Sequence, residues 1–356
     1  MRIRSPSPTR TTIKGHAVPY IASPGNRDRV NAMARLGPGV MLRGDAGAIA
    51  AADLRLKKYE GPLILDPARY EKAHTQEVQP SLLGVFHRWL DPQLTHNVNA
   101  LVAPSIGIQA DQMELIPRVL GDGAAFAVEA GAQADSREVV VPINVYGRWL
   151  TNHLEGLTEM LEASGHVVGI VLTDSTDPLN RVGGVAALAQ LVEALPRCVV
   201  VRTDIAGLGA LAWGAQWVAI GTSSTTRHAA KPGGRGHSFA LDDRTPSVLV
   251  EQLLGYRRAS KLEQLERVGD VLGCRCAVCG GNDLRRFADP KYLLEAQSHN
   301  AAVVTRLAAD LDSAQDRRHE WITWCKRALE AHAWVRETTG VAVYPPLPLK
   351  EWAHLR

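Results

Sequence analysis

The sequence has few of the features that mark membrane, secreted or strongly basic proteins. No apolar run approaches the ~20 residues that a membrane-spanning helix needs. The N-terminus, MRIRSPSPTRTT, contains arginines but no apolar segment typical of a secretory signal. The net charge of +3 over 356 residues gives only weak support for a polyanionic partner. We therefore expect a cytoplasmic protein with no membrane partner, in which residues 1–14 form a flexible basic tail.

Cysteine is also scarce. Of five cysteines, Cys198 and Cys325 are isolated, and the other three lie within residues 274–279 as C-x-C-x₂-C. This number is too small for a disulfide framework in a chain of this length. In a reducing compartment such a tight group is more typical of a metal site than of disulfide bridges.

Eight short, β-branched apolar runs recur along the first two thirds of the chain, and most are followed by a helical pattern. They cover residues 17–23, 39–42, 62–66, 99–105, 139–145, 167–174, 198–204 and 217–222. Such continuous apolar runs predict strands buried on both faces, as in a parallel sheet. The α/β alternation predicts a (β/α)₈ TIM-like barrel over residues 15–245. A doubly wound open sheet is the alternative, but no glycine-rich nucleotide-binding fingerprint follows any strand.

The strand–helix alternation ends after residue 245. Residues 245–268 have the pattern of an amphipathic helix, and residues 289–337 are almost entirely helical in character. The sequence therefore predicts a C-terminal helical zinc-binding subdomain over residues 246–335. The proline-rich stretch VAVYPPLPLKEWAHLR predicts an extended C-terminal tail over residues 336–356.

The cysteine group predicts a structural zinc site. Three thiolates come from one tight loop flanked by glycines, and zinc prefers four ligands in a tetrahedron. A histidine twenty positions downstream is best placed as the fourth ligand, with His319 and His332 as alternatives. A complete set of three sulfurs and one imidazole leaves no open position for a reacting water. The predicted ligands are Cys274, Cys276, Cys279 and His299.

The motif CRCAVC followed by SHN closely resembles the zinc signature of the tRNA-guanine transglycosylases. That family has a (β/α)₈ barrel with a C-x-C-x₂-C…H zinc subdomain after the last strand. The resemblance covers roughly residues 15–310. The segment PLILDPARYE is similar to the family's PILTDSGGFQ, which places Asp66 at the active-site aspartate and Tyr70 at the base-stacking aromatic. Residues 203–228 align in outline with the stretch that leads into the nucleophile and ends in a threonine–arginine pair, here Thr226 and Arg227.

The chain also departs from the family pattern. The nucleophilic aspartate lies six positions before that arginine in the family, and Gly221 occupies the position here. The recognition aspartate is replaced by an apolar or small residue, and the recognition glutamine falls near Val145. The resemblance therefore implies a divergent member whose pocket does not read guanine in the family's usual way.

Carboxylates follow several predicted strands, and active sites of parallel barrels form at these strand ends. The family's reaction needs one carboxylate to attack the ribose C1′ and another to move protons on the bases, as in two-carboxylate glycosyl transfer. Asp204 is our candidate nucleophile and Asp66 the candidate general acid/base. A helix N-cap is the alternative role for each strand-end aspartate, and we favour it for Asp45 and Asp177.

Further residues are candidates for substrate binding. The base-stacking aromatic comes from the resemblance, two polar residues come from strand ends, and a glycine-rich basic loop at 223–238 suits phosphate contacts. The predicted substrate-binding residues are Tyr70, Asp174, Asn144, Arg227 and His228.

Two functions follow from the resemblance. The first is a base-exchange enzyme that replaces guanine by a 7-deazaguanine-type base in tRNA, or in DNA as one branch of the family does. The second is a non-catalytic relative that keeps the barrel and the zinc and serves as a nucleic-acid-binding or partner subunit, in a homodimer or with another protein. The enzyme requires Asp66 and Asp204 to face each other across a pocket.

Overall fold

The computed structural model describes residues 13–21, 27–72, 83–133, 137–234, 243 and 245–355. Of the predicted basic tail at residues 1–14, all but the last two residues lie outside this part of the chain. Ile13 is buried and Lys14 is exposed.

Eight parallel strands form one sheet in the order β3-β2-β1-β8-β7-β6-β5-β4. The strands are β1 (Ala17–Ile21), β2 (Val40–Arg43), β3 (Leu63–Asp66), β4 (Leu101–Val102), β5 (Val139–Tyr146), β6 (Val167–Thr173), β7 (Cys198–Thr203) and β8 (Val218–Gly221). All seven residues of β6 and all six of β7 are buried. Burial on both faces explains why these strands are continuous apolar runs rather than alternating ones.

The two outer strands of this order meet and close the sheet into a barrel. Ile64 at β3 forms a parallel bridge with Ala100, just before β4. The Asn99 amide donates to the Leu63 carbonyl at 2.8 Å. The predicted (β/α)₈ barrel is therefore confirmed, and the doubly wound open sheet is wrong.

Two apolar layers hold the barrel together. One fills its interior and the other lies between the strands and the surrounding helices. The interior layer includes Val18, Met41, Ile64, Val140, Val199 and Ala219. Filling the interior with side chains is usual for a barrel of eight strands.

Helices follow strands β1 to β7 in the expected alternation, and four more α-helices of the described residues come after β8. They are α1 (Arg27–Ala34), α2 (Gly44–Leu56), α3 (Leu83–Thr95), α4 (Ile116–Gln133), α5 (Gly147–Asn152), α6 (Leu154–Glu162), α7 (Gly184–Ala194), α8 (Ala206–Ala212), α9 (Gly269–Leu272), α10 (Leu293–Ser313), α11 (Arg317–Thr339) and α12 (Leu347–His354). Within the described ranges, no helix combines the length and the apolar character that crossing a bilayer requires.

The helix that completes the barrel comes late in the chain. No helix directly follows β8 in the described residues, and α10 instead packs against β1 and between α1 and α8. This is the place of the eighth barrel helix. The segment from residue 245 to residue 292, including the cysteine cluster, thus lies in the sequence between β8 and α10.

The predicted amphipathic helix over residues 245–268 is wrong. The chain forms an antiparallel hairpin of β9 (Ser247–Val250) and β10 (Gly255–Arg258), followed by 3-10 turns over Ala259–Val268. Leu254 adopts a left-handed conformation with φ +40 at the turn. The buried run Ser247–Val250 packs as a strand, so tertiary burial outweighs the helical periodicity of the sequence.

The expectation of an extended tail over residues 336–356 is also corrected. Helix α11 continues to Thr339, and the chain ends in α12. Prolines at the start of α12 are compatible with a helix because first-turn amides have no intrahelical partner. Glu351 on α12 accepts hydrogen bonds from the Gly183 amide at 2.6 Å and the Val185 amide at 3.0 Å, which anchors α12 at the start of α7.

Candidate active site and metal centre

The four predicted zinc ligands lie together in the interior. Cys274, Cys276, Cys279 and His299 are all buried, and their ligand atoms lie within 4.8 Å of one another. Each sulfur is 3.3–3.5 Å from His299 Nδ1. Atoms bound to one zinc at its usual bond lengths and tetrahedral angles lie roughly 3.5 Å apart. The donor set and its spacing therefore fit a metal ion with four protein ligands.

The surroundings of the cluster orient its histidine. His299 Nε2 donates to the Leu249 carbonyl of β9 at 2.8 Å, which leaves Nδ1 free to bind a metal. The guanidinium of Arg286 donates to Cys279 Sγ at 3.5 Å. The alternative ligand His332 is buried elsewhere, with its ring nitrogens 3.2 Å from the Val343 carbonyl and 3.1 Å from the Leu253 carbonyl.

The residue after this histidine joins the metal centre to the barrel. Asn300 is buried on α10, and its Oδ1 accepts from the Leu249 amide at 2.8 Å. Its Nδ2 donates to the Ser247 carbonyl at 2.8 Å and to the Thr222 carbonyl, just after β8, at 3.0 Å. One side chain thus binds both the hairpin and the end of the last barrel strand.

Asp66 lies at the end of β3 in a closed set of hydrogen bonds. Its Oδ2 accepts from the Tyr20 hydroxyl at 2.7 Å and from the Tyr70 hydroxyl at 2.5 Å, and its Oδ1 accepts from the Ala68 amide at 2.8 Å. All three side chains are buried. Burial raises the pKa of Asp66, while the tyrosine hydrogen bonds act in the opposite direction. Tyr70 is therefore a hydrogen-bond donor here, and its buried ring is not a free stacking surface.

The segment after β8 lies across the centre of the barrel mouth and helps to close it. Ala229 pairs with the end of β6 through a parallel bridge to Thr173. The Gly233 amide donates to the Glu71 carbonyl at 2.9 Å, and the Gln109 side chain donates to the Pro232 carbonyl at 2.8 Å. Residues 229–233 thus contact the chain after β3, after β4 and at the end of β6.

A cavity of about 360 Å³ opens beside this closed centre, at the carboxyl ends of β6, β7 and β8. Its polar wall carries two aspartates, an arginine and a histidine, and its apolar wall comes from the hairpin and from helices α11 and α12. The lining includes Asp177, Asp204, Arg227, His228, Tyr256, Trp321, Leu349 and Trp352.

Two carboxylates and one imidazole meet in this cavity. The ligand atoms of Asp177, Asp204 and His228 lie within 4.8 Å of one another, and His228 Nε2 is 3.6 Å from Asp204 Oδ2. Backbone amides fix both carboxylates, because Asp177 Oδ1 accepts from Leu179 at 2.9 Å and Asp204 Oδ1 from Ala206 at 2.8 Å. Burial and the charge of Asp204 raise the pKa of Asp177 to about 6. Two carboxylates and an imidazole are also donors that bind divalent transition-metal ions.

Arg227 forms the wall next to these acids. Its guanidinium lies 3.3 Å from the centre of the Tyr256 ring and donates to Ser247 Oγ at 3.1 Å. Burial lowers the pKa of Arg227. Since Ser247 also binds Asn300 through its carbonyl, this wall is held by the same hairpin that contacts the metal centre.

The structure brings together some of the predicted site residues and separates others. Asp204, Arg227 and His228 line one cavity. Asp66 does not line that cavity and shares no hydrogen bond with Asp204 among the described residues. The expected pair of Asp66 and Asp204 facing each other across a pocket is therefore not formed.

Two predicted substrate-binding residues make local contacts instead. Asn144 is fully buried within the barrel wall, where it accepts from the Ile108 amide at 3.2 Å and donates to the Thr173 hydroxyl at 3.0 Å. Asp174 accepts from the Ser175 amide at 2.7 Å and pairs with Arg181 at 3.2 Å. Both side chains already have protein partners at this end of the sheet.

Gly221, at the position of the family nucleophile, has no room for a side chain. A Cβ there would lie 2.4 Å from the carbonyl carbon of Thr226 and 2.5 Å from its oxygen. These are backbone atoms, which cannot move as the end of a flexible side chain can. The local path of the chain therefore favours glycine at this position.

Sequence reasoning missed the role of Asp177. It favoured a capping role, and Asp177 does accept a backbone hydrogen bond, but the residue also contributes to the cavity. Its position three residues after Asp174, in the loop that follows β6, was the available signal. Tyr20 and Arg202, both inside strands, carried no sequence signal that separated them from structural residues.

No protein-family model and no curated protein matches this chain. Solved structures similar to it include the type I 3-dehydroquinate dehydratase of Clostridium difficile, with 9% identity and a TM-score of 0.39 over 63% of this chain and 90% of that one. The tryptophan synthase α-subunit of Pyrococcus furiosus has 12% identity and a TM-score of 0.36, over 58% and 87% of the two chains. These likenesses carry no argument about function. The barrel assignment rests on the strand pairing described above.

Proposed function

We propose that this protein is a base-exchange transglycosylase related to the tRNA-guanine transglycosylases, with its reaction moved from the barrel centre to the cavity beside β6, β7 and β8. The proposed reaction replaces guanine by a 7-deazaguanine-type base in tRNA or DNA. The observation that carries the proposal is the pair of Asp177 and Asp204 in a cavity at the carboxyl ends of barrel strands.

Asp204 is the proposed nucleophile. Its carboxylate attacks C1′ of the pentose, a C1′–O bond forms, and the bond from C1′ to the base nitrogen breaks. Asp177 in its protonated form gives its proton to the departing base. The ligand atoms of the two residues lie within 4.8 Å of each other, which is compatible with the close carboxyl pair that double-displacement glycosyl transfer uses.

The second step returns the nucleophile to its starting state. The incoming base loses an N–H proton to the Asp177 carboxylate and attacks C1′, and the C1′–O bond to Asp204 breaks. His228, 3.6 Å from Asp204, holds the carboxylate in place. A cavity of about 360 Å³ suits a single nucleoside unit turned out of its strand.

Zinc is the proposed occupant of the Cys274, Cys276, Cys279 and His299 cluster. Three thiolates and an imidazole are a donor set typical of structural zinc. The metal supplies folding energy to the inserted segment and no chemistry to the reaction, because the four protein ligands fill its tetrahedron.

The second candidate function is a non-catalytic relative that binds nucleic acid or a partner chain, as a homodimer or a heteromer. Two observations favour it. Gly221 cannot carry the family nucleophile, and Asp66 is enclosed by Tyr20 and Tyr70. Both observations concern the barrel centre, whereas the first candidate depends on the neighbouring cavity.

The deciding experiment incubates the zinc-loaded protein with labelled guanine or a labelled 7-deazaguanine base and either bulk tRNA or duplex DNA. Denaturing gels then detect both exchange into the polymer and a covalent protein–nucleic-acid adduct. The variants are Asp204→Asn, Asp177→Asn and Asp66→Asn. Asp45→Asn is the matched control, because Asp45 also follows a strand but is exposed and pairs with Arg88 at 2.8 Å.

We expect exchange and an adduct with the wild type and with Asp45→Asn, and loss of both with Asp204→Asn. Asp177→Asn should slow formation of the adduct by about 10²–10⁴-fold, the usual contribution of a general acid. An adduct that depends on Asp66 and survives Asp204→Asn would contradict the cavity assignment. Binding of nucleic acid without any exchange would support the non-catalytic relative. Activity that appears only with added Mg²⁺ or Mn²⁺ would indicate a cation between the acids instead.

A further inference from the structure

Arg202 joins the closed barrel centre to the wall of the cavity. It is 5% exposed at the end of β7, and its guanidinium binds the carboxylate of Glu71 on one side. On the other side, it donates to the Thr225 carbonyl at 2.9 Å and to the His228 carbonyl at 3.3 Å. One rigid, planar group thus contacts both the ion pair at the barrel centre and the segment that carries His228 into the cavity.

The backbone of Arg202 is held in an unusual conformation. Its φ of +56 lies in the left-handed region, and the pairing of β7 with β8 shifts register between Val201 and Thr203. A long side chain rarely adopts this conformation, and such strained positions cluster at functional sites. The guanidinium contacts Glu71 and residues 225–228, and its Cζ lies 5.6 Å from the centre of the Tyr20 ring.

Arg43 provides an internal comparison. It also binds Glu71, with Nε donating to Oε1 at 3.0 Å, and it also comes from a strand end. Its hydrogen bonds in the described residues go to Glu71 alone and do not reach residues 225–228. Arg202 differs from Arg43 in its contacts with that segment, its deeper burial and its left-handed backbone, so an effect specific to Arg202 does not come from the shared ion pair alone.

We propose that Arg202 is a positioning residue that sets the place of His228 relative to Asp204. The effect of this positioning on base exchange rests on the proposed function. Arg202 touches neither Asp177 nor Asp204 through a hydrogen bond among the described residues, so it acts through the carbonyls of Thr225 and His228. Lysine keeps the charge but has a single ammonium in place of the planar fork, so it cannot make all three contacts in this geometry.

The experiment compares Arg202→Lys with Arg43→Lys in the full-length, zinc-loaded protein. Hydrogen–deuterium exchange is followed for peptides that span residues 222–231, where the Thr226 amide donates to Ser223 and the Ala229 amide donates to Leu172. We expect faster exchange of this segment in Arg202→Lys and wild-type exchange in Arg43→Lys. Equal changes in both variants, or no change in Arg202→Lys, would overturn the positioning role.

The base-exchange assay then measures kcat and KM separately, which distinguishes a positioning role from a purely structural one. We expect Arg202→Lys to lower kcat at least tenfold with KM within about threefold of the wild type, because the reacting geometry is lost rather than the binding surface. In the background of His228→Gln, the same change should have little further effect. Full additivity of the two substitutions would show that Arg202 does not act through His228.

A second variant covers the possibility that lysine disturbs the bulge. Glycine adopts φ +56 without strain, so Arg202→Gly is compatible with the backbone path and removes the whole side chain, including the guanidinium. It should show the same faster exchange at residues 222–231. If the wild type has no transfer activity, the proposed function fails, while the exchange comparison still decides whether Arg202 positions the segment.

Discussion

The carboxylates of Asp177 and Asp204 share one cavity although they follow different strands, and their ligand atoms lie within 4.8 Å of each other. Two acids at this distance cannot ionise independently, because the charge on one disfavours the charge on the other. The protein resolves this by raising the pKa of Asp177 to about 6, through burial first and the charge of Asp204 second. Different proton affinities allow the two acids to have different roles in one reaction.

The pH dependence of activity follows from this arrangement. If Asp177 is the general acid, cleavage of the glycosidic bond requires its protonated form. We expect kcat/KM for the first half-reaction to fall as pH rises through about 6, approaching tenfold per pH unit. A pH profile of adduct formation measures this limb. Asp177→Asn should abolish this decrease of kcat/KM with rising pH. If the decrease persists unchanged in that variant, another group causes it.

The same shift affects stability. The pKa of Asp177 in the folded protein lies above its ordinary value of 3.8, so the folded state holds more protons between about pH 4 and 6. The contribution of Asp177 to the free energy of unfolding therefore decreases as pH rises through this window. At pH 7 we expect Asp177→Asn to be more stable than the wild type by on the order of 1 kcal/mol, and the difference to disappear near pH 4. Urea denaturation at the two pH values measures it, and a wild type more stable than the variant at pH 7 would contradict the burial of an acid here.

Restoring a side chain at Gly221 should damage the fold rather than create a nucleophile. Because its Cβ would meet the Thr226 backbone at 2.4 Å, Gly221→Ala should lower the free energy of unfolding by about 1–3 kcal/mol. Gly156→Ala is the matched control, since Gly156 lies in α6 with no atom within 4 Å of an added Cβ. That change should be neutral or stabilising by up to about 1 kcal/mol. Thermal and urea unfolding of both variants distinguish the outcomes.

The metal centre predicts one bound zinc per chain, which can be counted by plasma emission spectrometry. Cys276→Ser should lose most of the metal, whereas Cys325→Ala, at a buried thiol outside the cluster, should retain it. Since His299 and Asn300 both bind the hairpin, metal loss should also raise hydrogen exchange at residues 247–258. Full zinc occupancy in Cys276→Ser would rule out the assigned ligand set.

The contact between Glu351 and the start of α7 should stabilise the wall of the cavity. Its carboxylate accepts two amide hydrogen bonds at the positive end of the helix, so Glu351→Ala should cost about 1–2 kcal/mol. Glu337→Ala, at an exposed position of α11, should change stability by less than about 0.5 kcal/mol. Faster hydrogen exchange at residues 183–187 in Glu351→Ala alone would place the effect at the start of α7. Equal losses of stability in both variants would contradict the prediction.

The barrel could be predicted from the sequence because its strands are buried on both faces. A run such as Val167–Thr173 leaves no polar alternation, and eight such runs in one chain give few other topologies. The cluster of three cysteines and one histidine could also be predicted, because the cysteines are close in sequence and the histidine follows at a short distance. Both features are visible in the sequence because the residues that form each strand, and the cysteines of the cluster, are close together along the chain.

The candidate site was harder to predict because it depends on which strand ends meet. Asp66 and Asp204 both follow strands, yet the segment 225–234 lies across the mouth and the tyrosines enclose Asp66. The hairpin at residues 247–258 was missed because a helical apolar spacing also fits a buried strand with a left-handed turn at Leu254. A loop that crosses the barrel mouth and tyrosines that enclose a carboxylate produce no periodic pattern of apolar residues in the sequence.

The position of α10 in the barrel has a consequence for how this chain is made. During synthesis, all eight strands leave the ribosome before the helix that packs against β1. The apolar surface that α10 covers therefore stays exposed until about residue 313 has emerged. A chain truncated at residue 245 would therefore form an incomplete barrel with an exposed apolar surface. A chain truncated after α10 would contain all the strands and helices of the barrel.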